Sequence, residues 1–129
     1  MQVHQAGCEV GSHTLTHPRL PSLSEADAWN EIHTSRQRLG EIIGSPVVSF
    51  SYPYGLLNDR CKQLVIRAGY KCACAAWTGP VRFTWDRHEI RRILVCHDMT
   101  PGQLWRRVML PYQEYRWTVW KAQTILRRN

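Results

Sequence analysis

The sequence contains no run of about eighteen apolar residues, so no segment is long enough to cross a bilayer as a helix. It has no internal repeat and no low-complexity stretch. Its 43% hydrophobic content is that of a globular chain and excludes disordered and fibrous classes. The first residues, MQVHQAGCEVGSH, lack the basic-then-apolar build of a signal peptide. Five cysteines, an odd number, form neither a metal knuckle nor an even disulfide framework. Acidic residues are few, 10 against 17 Lys and Arg. At 129 residues there is room for one hydrophobic core and not two.

What is present is unevenly distributed. Residues 1–81 are almost balanced in charge, whereas residues 82–129 carry ten basic and four acidic side chains. Such a surface attracts phosphates, acidic glycans and anionic lipid headgroups. No zinc-finger, RRM-like or helix-turn-helix pattern accompanies the charge, and no nucleic-acid partner is expected. Cys72 and Cys74 alternate with Ala73 and Ala75, which reads as small residues in a buried strand. Unpaired cysteines fit a reducing compartment, so a cytoplasmic location is favoured.

Strand and helix signals alternate along the chain. CEVGS, 8–12, is a short strand candidate that delivers His13 at its end. Ser24 is a plausible N-cap with Asp27 three residues on. Ala28, Trp29, Ile32, Leu39, Ile42 and Ile43 then repeat as a helical face that Gly44 and Pro46 end. VVSFSY, 47–52, is a β-branched and aromatic strand running into the turn Pro53-Tyr54-Gly55. Asn58 or Asp59 caps a helix to about Ala68, with Leu64 and Val65 inward and Gly69 as stop. Strands follow at 70–77 and 92–96, then helices near 101–109 and 112–127. This order implies βα units on a parallel sheet.

The sharpest local feature is S-H-T-L-T-H-P at 12–18. His13 and His17 are four apart, so on a helical or tightly turned segment both imidazoles can face one divalent metal. Zinc and its neighbours in the transition series take neutral imidazole well. Two histidines at this spacing also occur as plain polar surface. They do not complete a site, and a third ligand, usually a carboxylate, has to come from elsewhere.

AGCEVGSHTLTHPRLPSLS resembles the second motif of the polysaccharide deacetylases, the NodB-homology carbohydrate esterases. FSYPYGLLND resembles that family's third motif, and LVIRAGYKCACAAWTG the helix, turn and strand that follow it. The resemblance covers roughly residues 3–95. It implies a distorted (β/α) barrel, of which this chain would be the part lacking the first strands: an α/β fold with parallel strands alternating with helices. Residues 1–110 would form the partial domain and 111–129 a basic amphipathic helix. The implied activity is metal-dependent hydrolysis of N-acetyl or O-acetyl groups on a carbohydrate, chemistry on carbon–nitrogen bonds other than peptide bonds. The implied partner is an acetylated polysaccharide or oligosaccharide. His13 and His17 map onto the metal ligands, with zinc the expected metal. Pro53, Tyr54 and Gly55 map onto the substrate-binding turn, where Tyr54 would line the acetyl pocket and offer its backbone N–H to the oxyanion.

The chain departs from the family pattern in three places. The family's T-F-D-D-G motif, which holds the third metal ligand and the catalytic base, has no counterpart before Gly7, so a truncated and inactive fragment is expected. Ser51 stands where many members carry an arginine, although a subgroup reading F-S-Y-P-Y-G also lacks it. Cys8 replaces a frequent histidine. His97, in ILVCHD, either matches the family's catalytic general acid or is an exposed loop residue. His4, His33 and His88 read as surface. A competing function is a non-catalytic carbohydrate-binding or membrane-surface module. It rests on Trp117 and Trp120 among Arg116, Lys121, Arg127 and Arg128, on a helix that could equally pack on the barrel flank.

Overall fold

The computed structural model describes residues 2–75, 86–92 and 95–109. After a short helix α1 (Gln2–Gln5) and a 3-10 turn (Leu20–Ser22), the long helix α2 spans Glu25–Ile43. Its start follows from local chemistry. The Ser24 hydroxyl accepts the Asp27 N–H at 3.1 Å as N-cap and donates to the Asp27 carboxylate at 2.6 Å, so Asp27 holds the capping hydroxyl rather than the Ser24 backbone N–H. Gly44, at φ 67, turns the chain out of the helix. Ala28, Ile32 and Ser35 form the buried stripe. Ile42 does not belong to it: one residue back from the half-buried Ile43 is a rotation of about 100°, and its side chain is 58% exposed.

Three parallel strands, β1 (Ser49–Ser51), β2 (Cys72–Ala75) and β3 (Ile90–Arg91), pair in the order β1-β2-β3. Ser49 pairs with Cys72, Phe50 with Ala73, and Cys74 with Ile90. Between β1 and β2 runs α3 (Asp59–Arg67), capped by Asn58, whose side chain accepts the Cys61 N–H at 2.9 Å. Cys61, Leu64 and Val65 face inward, and Gly69 at φ 87 leads into β2. α3 packs on α2, and both cover one face of the sheet. Phe50 joins Tyr52 and Tyr70 at ring distances of 5.2 and 5.0 Å in that core. The α/β class with parallel strands alternating with helices is thus as expected.

Several details differ from the sequence reading. The strand expected at 8–12 shrinks to a single bridge: Ser12 N–H donates to Ser49 O and Ser51 N–H to Ser12 O, both at 2.9 Å. Cys8, Glu9 and Gly11 are exposed and gain nothing from extending the ladder. Within β2 the fully buried small residues are Ala73 and Ala75. Cys72 and Cys74 point to the opposite face and are only half-buried, because strand residues alternate and the helices cover one side. The last strand begins earlier than expected, at Ile90, while Ile93 and Leu94 lie outside the described residues. α4 (Pro101–Met109) matches the expected 101–109. Thr100 and Gln103 form a capping box, at 2.8 and 3.3 Å. The basic helix expected at 112–127 lies outside the described residues. Among the described residues no helix is long and apolar enough to cross a membrane.

Candidate metal centre

The C-terminal ends of adjacent parallel strands are where α/β folds gather functional groups. Ser12 leaves its bridge directly into His13, and β1 leaves into Pro53-Tyr54-Gly55. The two motifs singled out in the sequence therefore emerge side by side.

The segment between the histidines is a tight turn and not a helix. Thr14 and His17 adopt left-handed backbone angles, φ 68 and 59. For residues other than glycine this costs about 1–3 kcal/mol each, so the surroundings have to over-determine it. They do. The Thr14 hydroxyl donates to the His13 carbonyl and accepts the His17 N–H at 3.1 Å. Glu31, on α2, accepts three further bonds: Leu15 N–H at 2.8 Å, Thr16 N–H at 2.9 Å and the Thr16 hydroxyl at 2.7 Å. Burial pushes the Glu31 carboxyl up, but these three donors outweigh it and hold it below the ordinary carboxylate value.

One turn further along α2, the buried Ser35 hydroxyl donates to Ile32 O at 3.0 Å and receives the Ser12 hydroxyl at 2.7 Å. Close approach is needed here as well. A Cβ on Gly11 would stand 2.7 Å from the Ser49 hydroxyl.

The result is a ring cluster. His13 and His17 meet edge to face at 4.7 Å between centroids, and His17 meets Tyr54 at 4.6 Å. The Arg19 guanidinium lies over the Tyr54 ring at 5.3 Å. His13 Nδ1 is 2.6 Å from the Ser51 carbonyl oxygen. A carbonyl only accepts, so Nδ1 carries the proton and Nε2 keeps its lone pair free, which is the arrangement of a metal-binding histidine. Tyr54 is 52% exposed and adopts φ 56. The bonds of its turn run from Gly55 N–H to Tyr52 O and from Leu56 N–H to Pro53 O, leaving the Tyr54 N–H outside them.

The donor set fits two thirds of a metal site. Among the described residues no group of three His, Cys, Asp or Glu side chains could hold an ion. Glu31 is engaged through both oxygens by the turn itself. His97 does not join the cluster: it is exposed in a turn closed by Met99 N–H on Cys96 O at 3.1 Å.

The remaining histidines are less superficial than expected. His33 is half-buried and stacks on Trp29 at 4.7 Å, and His4 is half-buried in α1. His88 Nε2 bonds the Tyr70 carbonyl at 2.9 Å, while its own carbonyl accepts the Tyr52 hydroxyl at 3.0 Å. Sequence reasoning missed Glu31 and Ser35. The available signal was polar residues set three and seven positions after Ala28, along the apolar stripe of α2.

Comparison with known proteins identifies the family and the fold. The sequence model of the family described as polysaccharide deacetylase matches residues 1–73, more than half of the chain and both motifs. The structure is similar to a Streptococcus pyogenes deacetylase solved with acetate, at 24% identity, 82% of this chain, 47% of that one and TM-score 0.71. It is similar to a polysaccharide deacetylase from Bacillus cereus, at 24% identity, 83% of this chain, 34% of that one and TM-score 0.67. A de-N-acetylase from Aggregatibacter actinomycetemcomitans matches at 18% identity, 82% of this chain, 50% of that one and TM-score 0.65. At these identities the likeness is one of fold. The chain spans half or less of the length of each.

Proposed function

This chain belongs to the polysaccharide deacetylase family, and from that membership we propose that it supplies the histidine pair and the acetyl-binding turn for metal-dependent removal of N-acetyl or O-acetyl groups from a carbohydrate. The observation that carries the reading is His13, its Nδ1 anchored on Ser51 O, in edge contact with His17, which in turn touches Tyr54.

His13 and His17 would hold a divalent ion, zinc being suited to two imidazoles. When bound, such an ion polarises an acetyl carbonyl and makes a bound water acidic. The carbonyl of Ser51 keeps His13 in the tautomer that leaves Nε2 available. Tyr54 offers its ring as a wall beside His17 and its N–H as a donor to an oxyanion. A carboxylate is still required as third ligand and another as general base, and the proposal assigns both to the Asp-Asp motif that the family carries. The 129-residue chain by itself is therefore expected to release no acetate.

The test is acetate release from acetylated chito-oligosaccharides. A chain extended at its N-terminus by a segment bearing T-F-D-D-G should turn over with added zinc and stop with a chelator. His13→Ala should abolish that activity. Chelator-sensitive turnover by the 129 residues alone would show that an acid within them, such as Asp59, Asp86 or Asp98, replaces the pair. His97→Gln in the extended chain decides its role. A fall of roughly 10²-fold or more assigns it the leaving-group proton, and unchanged turnover leaves it a loop residue.

A further inference from the structure

We infer that Glu31 is a positioning residue: from α2 it clamps the turn between His13 and His17 and so sets how the two imidazoles face each other. The inference rests on the proposed metal site, but its geometry stands apart from any ion.

Glu31 and Ser35 lie one helical turn apart on the same side of α2, and they grip the chain on either side of His13. Ser35 binds the Ser12 hydroxyl before it. Glu31 takes Leu15 N–H, Thr16 N–H and the Thr16 hydroxyl after it. Between these two grips the backbone passes through the left-handed angle at Thr14 and reaches another at His17. A turn of this shape leaves the Leu15 and Thr16 amides without a carbonyl of their own to bond. The carboxylate replaces those missing acceptors, with one oxygen shared by the two amides. Glutamine has the same length but keeps only one acceptor oxygen, and its NH2 group would face donors.

The experiment uses the whole chain without metal and then with zinc alone. In Glu31→Gln the Leu15 and Thr16 amides should exchange hydrogen at least about tenfold faster, and the ring-to-ring NMR cross-peak between His13 and His17 should vanish. Zinc affinity should drop by at least about tenfold, the scale seen when an outer partner of a ligand is removed. Thr16→Ala, which deletes one bond of the three, should give a smaller change of the same kind if Glu31→Gln fails to fold. Ser24→Ala loosens the same helix at its cap and should leave all three readouts unmoved. Unchanged exchange and an intact cross-peak in Glu31→Gln would overturn the inference, as would equal losses in Ser24→Ala. Should the unaltered chain bind no zinc, the metal reading fails, and the amide and ring signals still decide the role of Glu31.

Discussion

The Nδ1 of His13 lies 2.6 Å from the carbonyl oxygen of Ser51, so the strand that leads into the Pro53-Tyr54-Gly55 turn also fixes the tautomer of the first candidate ligand. Two motifs separated by nearly forty positions are thereby one chemical unit. Their spacing depends on Ser12 lying hydrogen-bonded against β1.

That dependence makes the approach at Gly11 testable. Gly11→Ala places a methyl 2.7 Å from the Ser49 hydroxyl and 3.4 Å from the Ser49 carbonyl oxygen. It should destabilise the fold by about 1–3 kcal/mol. Ser49→Ala in the same chain should recover a large part of the loss. Urea denaturation of the two single variants and the double variant reads this coupling.

The buried hydroxyl pair gives a second cycle. Because Ser35 donates to Ile32 O, the Ser12 hydroxyl is the donor in the 2.7 Å bond between them. Ser35→Ala takes away that acceptor and leaves the Ser12 hydroxyl only the Tyr70 hydroxyl to turn to, at about 1 kcal/mol. The Ser12→Ala plus Ser35→Ala chain should lose less than the two single losses combined, as chemical denaturation would show.

Acid sensitivity should concentrate on the turn that leads into β3. Lys62 bonds Asp86 at 3.0 Å and Glu89 at 2.8 Å, and Arg91 also pairs with Glu89. The His88 N–H, then Lys62, hold the Asp86 carboxyl below its ordinary 3.8. For Glu89, burial pushes up, but Lys62 and Arg91 outweigh it and keep it below 4.5. Carboxyls depressed in the folded state stabilise it above their unfolded values, and that stability disappears as pH falls through the folded ones. Lys62 is raised, by Glu89 first and Asp86 second, so its contribution is complete below 10.5 and is lost only as pH rises beyond. Denaturation midpoints should therefore be flat from about pH 5.5 to 8 and fall below about 4.5; above about 8 they should fall again, because burial pushes the Cys61 and Cys72 thiols up and the unfolded chain ionises first. Lys62→Met should lower the plateau by about 1 kcal/mol or less, since solvent screens these partly exposed pairs, and flatten the acid decline.

Local signals were readable without the structure. Ser24 with Asp27, Asn58 before Cys61, and Gly44 and Gly69 each act within a few residues, so their caps and stops were visible in the chain. His13, His17 and the Pro53-Tyr54-Gly55 turn were visible as residue types at meaningful spacing. What the sequence did not disclose depends on long-range register. Alternation in CACA fixes two faces but not which one the helices cover. That is decided by Phe50 pairing with Ala73 over α2 and α3, so the alanines are buried and the cysteines are not. A polar residue beside the apolar stripe of α2 marks Glu31, but its role was not legible for the same reason: its partners lie fifteen and sixteen residues away, in a turn whose shape no local pattern states.

The most direct measurement is zinc titration of the 129-residue chain by calorimetry at neutral pH. The account predicts weak binding at one site, because two imidazoles lack the third ligand that closes a zinc sphere. Either His13→Ala or His17→Ala should remove it. Undiminished binding in the chain carrying both substitutions would contradict the account and move the metal to other donors, the cysteines first among them.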